Sequence, residues 1–199
     1  MSPRNMEKDM QMRELRKEQI LDSALQAIAR KGVSSVSITD IAMEARLSVG
    51  NVYNYFKSKE EILSEVLRRG QENYGRTVSE YAQRKGISPA QKLHEFAESW
   101  LLQESNWAFT IMLQSVRTNE MIDTEIREAA TKRFTRNLEP LASIFQEGQR
   151  EGLFIDEPPI ELAFYFVSLI QGLTLQKAPG FEIPVSIQVH RLVRLFEKK

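Results

Sequence analysis

Apolar residues recur at three- and four-residue spacings along most of this chain, and stretches of alternating polar and apolar residues are hard to find, so the pattern predicts an all-α fold. From about Asp9 to Lys31 the stripe is Ile20, Leu21, Ala24, Leu25 and Ile28, and Gly32 follows as a C-terminal stop. Ser37 stands before Ile38-Thr39-Asp40, a pattern in which hydroxyl and carboxylate satisfy the free backbone N–H groups of a helix start. The short helix that follows turns Ile38, Ile41, Ala42 and Ala45 inward and Thr39, Asp40 and Met43 outward. After Arg46 and Leu47, Ser48 is a second N-cap candidate, opening a third helix that runs to Phe56. On it Val49, Val52 and Phe56 share one face, flanked by Tyr53, while Gly50, Asn51, Asn54 and Tyr55 point the other way. Ser58 caps a fourth helix with Ile62, Leu63, Val66 and Leu67 as its buried stripe; it runs to about Gln83, although Gly70 and Gly75 weaken its second half.

Beyond Gly86 the pattern predicts a larger helical unit. Helices are expected over Pro89–Gln103, Asn106–Thr118, Asp123–Glu151 with a kink at Pro140, Pro158–Lys177 and Pro184–Lys198, with Gly152 as a C-cap. The division is residues 1–60 against 61–199. The most apolar window, Ile160 to Leu175, contains Glu161, Ser168 and Gln171 and is shorter than the roughly 20 residues a membrane span needs. It reads as a buried helix, with no membrane partner. The chain has no cysteine, which excludes disulfides and zinc–thiolate sites and suits a reducing compartment. Its first residues carry no apolar stretch of the signal-peptide kind, so a cytoplasmic location is expected.

The 27 basic residues are balanced by 27 acidic ones, so the chain has no general basic coat and any nucleic-acid contact must come from a local patch. Such a patch exists: between Arg46 and Lys59 stand Arg46, Lys57 and Lys59 and no acid. Two short one-sided helices joined by a tight turn form a helix-turn-helix, which frees its second helix for a DNA major groove. Outward Asn51 and Asn54 can hydrogen-bond base edges, Tyr55 can donate to phosphate or touch a thymine methyl, and Gly50 permits close approach.

The run from Ser37 to Ala42 and, above all, the register from Gly50 through Tyr53-Asn54-Tyr55-Phe56 and Ser58-Lys59-Glu60 to Leu63 resembles the DNA-binding signature of TetR-family transcriptional regulators. The resemblance covers roughly residues 12–67. It implies that Ser48, Gly50, Asn51, Asn54 and Tyr55 lie at the DNA, with Tyr53 and Lys59 on phosphates and Thr39 on backbone or an outer base. The start of the fourth helix suits an anion independently of the resemblance. Tyr53 could equally pack against the first helix. The family commonly has Gly where Arg46 stands; either the turn is built differently here, or Arg46 accepts a strained backbone and gains a phosphate contact.

In the larger unit the resemblance implies a mostly apolar cavity for a small-molecule inducer of unknown identity, with Trp100, Trp107 and Phe134 as candidate lining. The scarcity of acids around these residues favours an apolar or aromatic ligand over a polycation. The segment from Ala163 to Leu175 is apolar around nearly its whole circumference and needs a second cover, which a homodimer would supply. Phe164, Val167, Leu175, Val189, Leu192 and Phe196 are the expected interface. The sum is a repressor of a palindromic double-stranded DNA operator, with no cofactor and no metal. A helical enzyme is the rival reading, yet His94 and His190 sit in no nucleophile or metal motif.

Overall fold

Three serines set where the short helices begin. The computed structural model describes residues 3–103, 105–180 and 182–199. The first helix, α1 (Pro3–Lys31), ends at Gly32, whose φ of 85° is the left-handed turn that glycine allows. Ser37 then caps α2 (Ile38–Glu44): its hydroxyl accepts from the Asp40 N–H while the Asp40 carboxylate accepts from the Ser37 N–H. Ser48 caps α3 (Val49–Tyr53) by accepting from the Asn51 N–H, and Ser58 caps α4 (Lys59–Gln83) by accepting from the Glu61 N–H.

The fourth helix continues through both of its glycines because neighbours come too close for a side chain. A Cβ at Gly70 would lie 2.1 Å from the Phe109 ring, and one at Gly75 2.6 Å from the Asn137 amide oxygen. Next come α5 (Pro89–Leu102) and α6 (Asn106–Thr118). The single kinked helix expected from Asp123 to Glu151 is two helices, α7 (Thr124–Arg136) and α8 (Glu139–Arg150). Pro140 has no N–H, and its ring clashes with the carbonyl four residues back, at Arg136, which is where α7 stops. Asn137, released at this corner, turns inward and donates to the Gln71 carbonyl at 2.7 Å.

Helix α9 (Pro159–Leu175) follows, and α10 (Val189–Arg194) is much shorter than the expected helix from Pro184 to Lys198. Past it the chain straightens beside residues 153–155: the Ile155 N–H donates to Phe196 O and the Lys198 N–H to Leu153 O. Phe154 and Phe196 are both buried on Phe145, so aromatic packing fixes the tail instead of helical turns.

Two apolar clusters make up the core. One joins Ile20, Ile41, Val52 and Leu67 to Phe109, Met112 and Val116, so α6 shares a core with the helix-turn-helix. The other gathers Phe96, Phe145, Phe154, Phe166 and Phe196 from α5, α8, the segment after α8, α9 and the C-terminal segment. The first cluster runs past residue 60, so α4 and α6 share a core with α1–α3.

Candidate DNA interface and ligand cavity

The turn between α2 and α3 carries the most strained residue of the site. Arg46 has φ of 55°, the one positive value at a non-glycine position among the described residues. This conformation costs an L-residue roughly 1–2 kcal/mol and persists where surrounding contacts over-determine it. Those contacts are present. The Leu47 N–H donates to Ala42 O at 2.8 Å, and the Gln19 side chain reaches from α1 to donate to Ala45 O at 2.8 Å. The guanidinium of Arg46 is left on the surface beside α3.

On α3, Val52 is fully buried with Phe56 close behind it, while Gly50, Asn51, Tyr53 and Asn54 are exposed. Nothing lies within 4 Å of a Cβ built at Gly50. The protein itself therefore does not require glycine there, so any requirement comes from outside. Tyr53 is 53% exposed, so half of its surface is open to solvent. Tyr55 departs from the helical phase expected of it: α3 ends at Tyr53, so the ring folds back, half-buried against the core, with the Arg13 guanidinium 5.1 Å from its centroid. Ser48 is exposed but its hydroxyl is engaged as a cap. Thr39 and Lys57 are exposed. Lys59 donates to Val36 O at 3.1 Å and Ser34 O at 3.4 Å, tying the start of α4 to the loop before α2. Arg13 is the residue that sequence reasoning missed. It donates to Asn54 O at 3.3 Å and adds a cation beside α3, 41 residues away in sequence, beyond the reach of local pattern.

Asp40 is the strongly perturbed carboxyl here. The Lys31 ammonium, followed by the Ser37 hydroxyl and N–H, holds its pKa down to about 2. It stays ionised and fixes the start of α2, beside Thr39.

Two cavities meet behind this unit. A cleft of about 680 Å³ opens between α1, α4, α5 and α6, with Arg69 at its mouth paired to Glu18 and Asp22 of α1. A small interior cavity of about 30 Å³ lies among α4, α5, α6, α7 and α9, walled by Trp100, Phe109, Leu113, Phe134 and Ile170. Tyr74, Trp100 and Phe109 border both spaces. The Tyr74 hydroxyl is buried with no hydrogen-bond partner, and burial pushes its pKa up, so it remains a neutral donor. Trp100 and Phe134 are thus where a ligand could reach them. Trp107, half-buried one turn away on α6, lines neither space.

The expected dimer residues divide. Val167, Leu192 and Phe196 point into the chain's own core and are unavailable to a second copy. Leu175 and Val189 are half-buried, and Phe164 is exposed together with Tyr165, Ile160 and Leu169. The outer stripe of α9 is the apolar face, and the correction is one of phase along the helix. No helix among the described residues is long and apolar enough to cross a membrane.

Residues 20–66 match the family model of bacterial regulatory proteins, tetR family. Over 80% of its length the chain is 24% identical to the HTH-type transcriptional repressor DhaR of Mycobacterium sp. strain GP1, covering 81% of that protein. A transcriptional regulator from Saccharomonospora viridis, solved in complex with choline, superposes with a TM-score of 0.70 at 26% identity, over 92% of this chain and 98% of that one. AibR, solved with isovaleryl coenzyme A and operator DNA, has the same fold with a TM-score of 0.67 at 19% identity, over 90% of this chain and 94% of that one. The relatives are transcriptional regulators and not enzymes. With the capped helix-turn-helix and the helical unit behind it, these likenesses identify residues 20–66 as a DNA-binding domain of the TetR family, in a chain similar over most of its length to transcriptional regulators.

Proposed function

We propose that this protein is a cytoplasmic, homodimeric repressor that a small, largely apolar ligand releases from a palindromic operator. The observation that carries the DNA reading is the open space over Gly50 between exposed Asn51 and Asn54: a helix face kept clear of its own side chains and flanked by groups that bond base edges. Arg46, Lys57 and Arg13 serve as phosphate contacts, with Tyr53 and Thr39 beside them. Ser48 and Lys59 act chiefly by holding α3 and α4 in place. A second copy packed on the outer stripe of α9 would set two α3 helices about one helical turn of DNA apart, or a multiple of it, which is why the operator is two-fold symmetric.

The ligand reading rests on the adjoining cavities and on what α6 touches. Phe109 and Leu113 of α6 line the interior cavity, Met112 and Val116 belong to the helix-turn-helix core, and Asn119 at its end donates to the Ser34 hydroxyl at 2.8 Å. A ligand that displaces α6 therefore pushes on the loop before α2. The complexes with choline and isovaleryl coenzyme A in proteins of this fold favour a small organic ligand. A 100-fold preference of the ligand for the released state corresponds to roughly 2.7 kcal/mol of coupling, and operator DNA must weaken ligand binding by the same factor.

The test is fluorescence anisotropy with duplex DNA from upstream of the protein's own coding region against a shuffled duplex, at two salt concentrations. Tight binding to the native duplex alone, weakening steeply with salt, is the expected result. Equal weak binding to both would count against a regulator acting at its own promoter.

A further inference from the structure

Among the described residues four arginines meet carboxylates: Arg30 and Arg84 hold one each, Arg68 and Arg69 two each. Three half-buried arginines around α7 do not. Among the described residues, Arg117, Arg127 and Arg133 have no carboxylate within ion-pair distance. Arg117 and Arg133 each touch a residue of the interior cavity's wall. The Arg117 guanidinium lies 4.5 Å from the ring centroid of Phe134, which lines the cavity. Arg133 donates to the side-chain oxygen of Gln71, another lining residue, at 3.1 Å. Arg127 stands on the same face of α7 as buried Ala130, about two turns before cavity-lining Phe134; its Nη2 donates to the Thr124 hydroxyl at 3.2 Å, and its Nε has no partner in the chain.

Resting on the ligand-controlled reading above, we propose that the interior cavity takes an amphipathic organic anion, its apolar body among Trp100, Phe109, Leu113 and Phe134 and its acidic head on Arg117, Arg127 and Arg133. A guanidinium presents a planar fork of donors that matches a carboxylate, and none of these three is already held by one among the described residues. The three side chains are only half-buried, so the head stays at a hydrated rim while the tail enters, and no charge crosses the apolar interior. The interior space holds only about one or two waters as it stands. The tail must therefore part Phe109 and Trp100 toward the neighbouring cleft, and that displacement of α6 is the signal. The head also draws Arg133 from Gln71. Gln71 ties α4 to α7 through Ala130 O at 2.7 Å, so the same event loosens α4.

The experiment is titration calorimetry of the intact protein with three probes of equal chain length: decanoate, decan-1-ol and decyltrimethylammonium. Decanoate should bind about 10-fold or more tightly than the alcohol, with the ammonium weakest, as expected for charge-assisted hydrogen bonds. The R127Q/R133Q double variant should bring decanoate to the level of the alcohol and leave the alcohol unchanged. Equal binding of decanoate and decan-1-ol, or an acid preference that survives the double variant, overturns the proposal. Failure of all three to bind overturns it as well. If the alcohol or the ammonium binds as well as or better than decanoate and weakens DNA binding, the anion assignment falls while the ligand-controlled reading stands.

Discussion

Replacing Gly50 with Ala separates what the fold wants from what the DNA wants. Gly50 lies in α3, is exposed, and has nothing within 4 Å of the position a Cβ would take. Within the protein the substitution is therefore free of collision, and it removes the conformational cost of glycine in a helix. The gain is roughly 0.5–1 kcal/mol. For a chain of this size that raises Tm by about 1–4 °C. Against DNA the sign reverses. The added methyl occupies the space through which the groove approaches α3, and an overpacked interface loses about 1–3 kcal/mol, or roughly 5- to 150-fold in affinity. Thermal melting by circular dichroism reads the first effect and anisotropy on an operator duplex reads the second. A variant that melts higher and binds DNA as well as the parent would refute the placement of Gly50 against the groove.

Arg46→Gly should relieve the left-handed strain while shortening the salt dependence of DNA binding by about 0.9 in slope per lost phosphate contact; an unchanged slope would mean that Arg46 touches no phosphate. Because Lys31 and Ser37 hold the Asp40 carboxyl at about 2, its stabilising contribution is complete above its ordinary value of 3.8 and is lost as pH falls toward about 2. Asp40→Asn should remove that part of the acid dependence in a series of melts. Gly148→Ala places a Cβ 2.2 Å from the Phe154 ring, so it should cost roughly 1–3 kcal/mol in a urea titration without altering dimerisation. If the outer stripe of α9 is the dimer interface proposed above, Phe164→Glu should give a monomer by light scattering while leaving the helical content intact.

What the sequence made legible was local. Ser37, Ser48 and Ser58 cap helices by bonding N–H groups three residues on, so their meaning is written within a few positions. The inward face of α2 and the buried Val52 and Phe56 followed from helical phase for the same reason. Phase failed where helices stop. Tyr55 lies beyond the end of α3, and the tail after α10 is held by Phe154 and Phe145, partners far back in the chain. The split into α7 and α8 was within reach, since a proline's clash four residues back predicts a stop at Arg136 as well as a kink. Distance in sequence hid the rest. Arg13 meets Asn54 and Tyr55 only because the fold brings α1 beside the residues that follow α3, and Gly70 and Gly75 read as helix breakers although Phe109 and Asn137 stand against them. The choice between Trp100 and Trp107 as cavity lining likewise depends on which side of α5 and α6 faces α4.

The most direct test of the central claim is selection from a random pool of duplex DNA by the purified protein, followed by sequencing of what it retains. The account predicts enrichment of a two-fold symmetric motif whose half-sites are spaced by about one helical turn or a multiple of it, and loss of that enrichment in the N51A/N54A variant. A pool that emerges without an enriched motif, or a motif unchanged in the variant, would contradict the reading of α3 as the helix that recognises DNA.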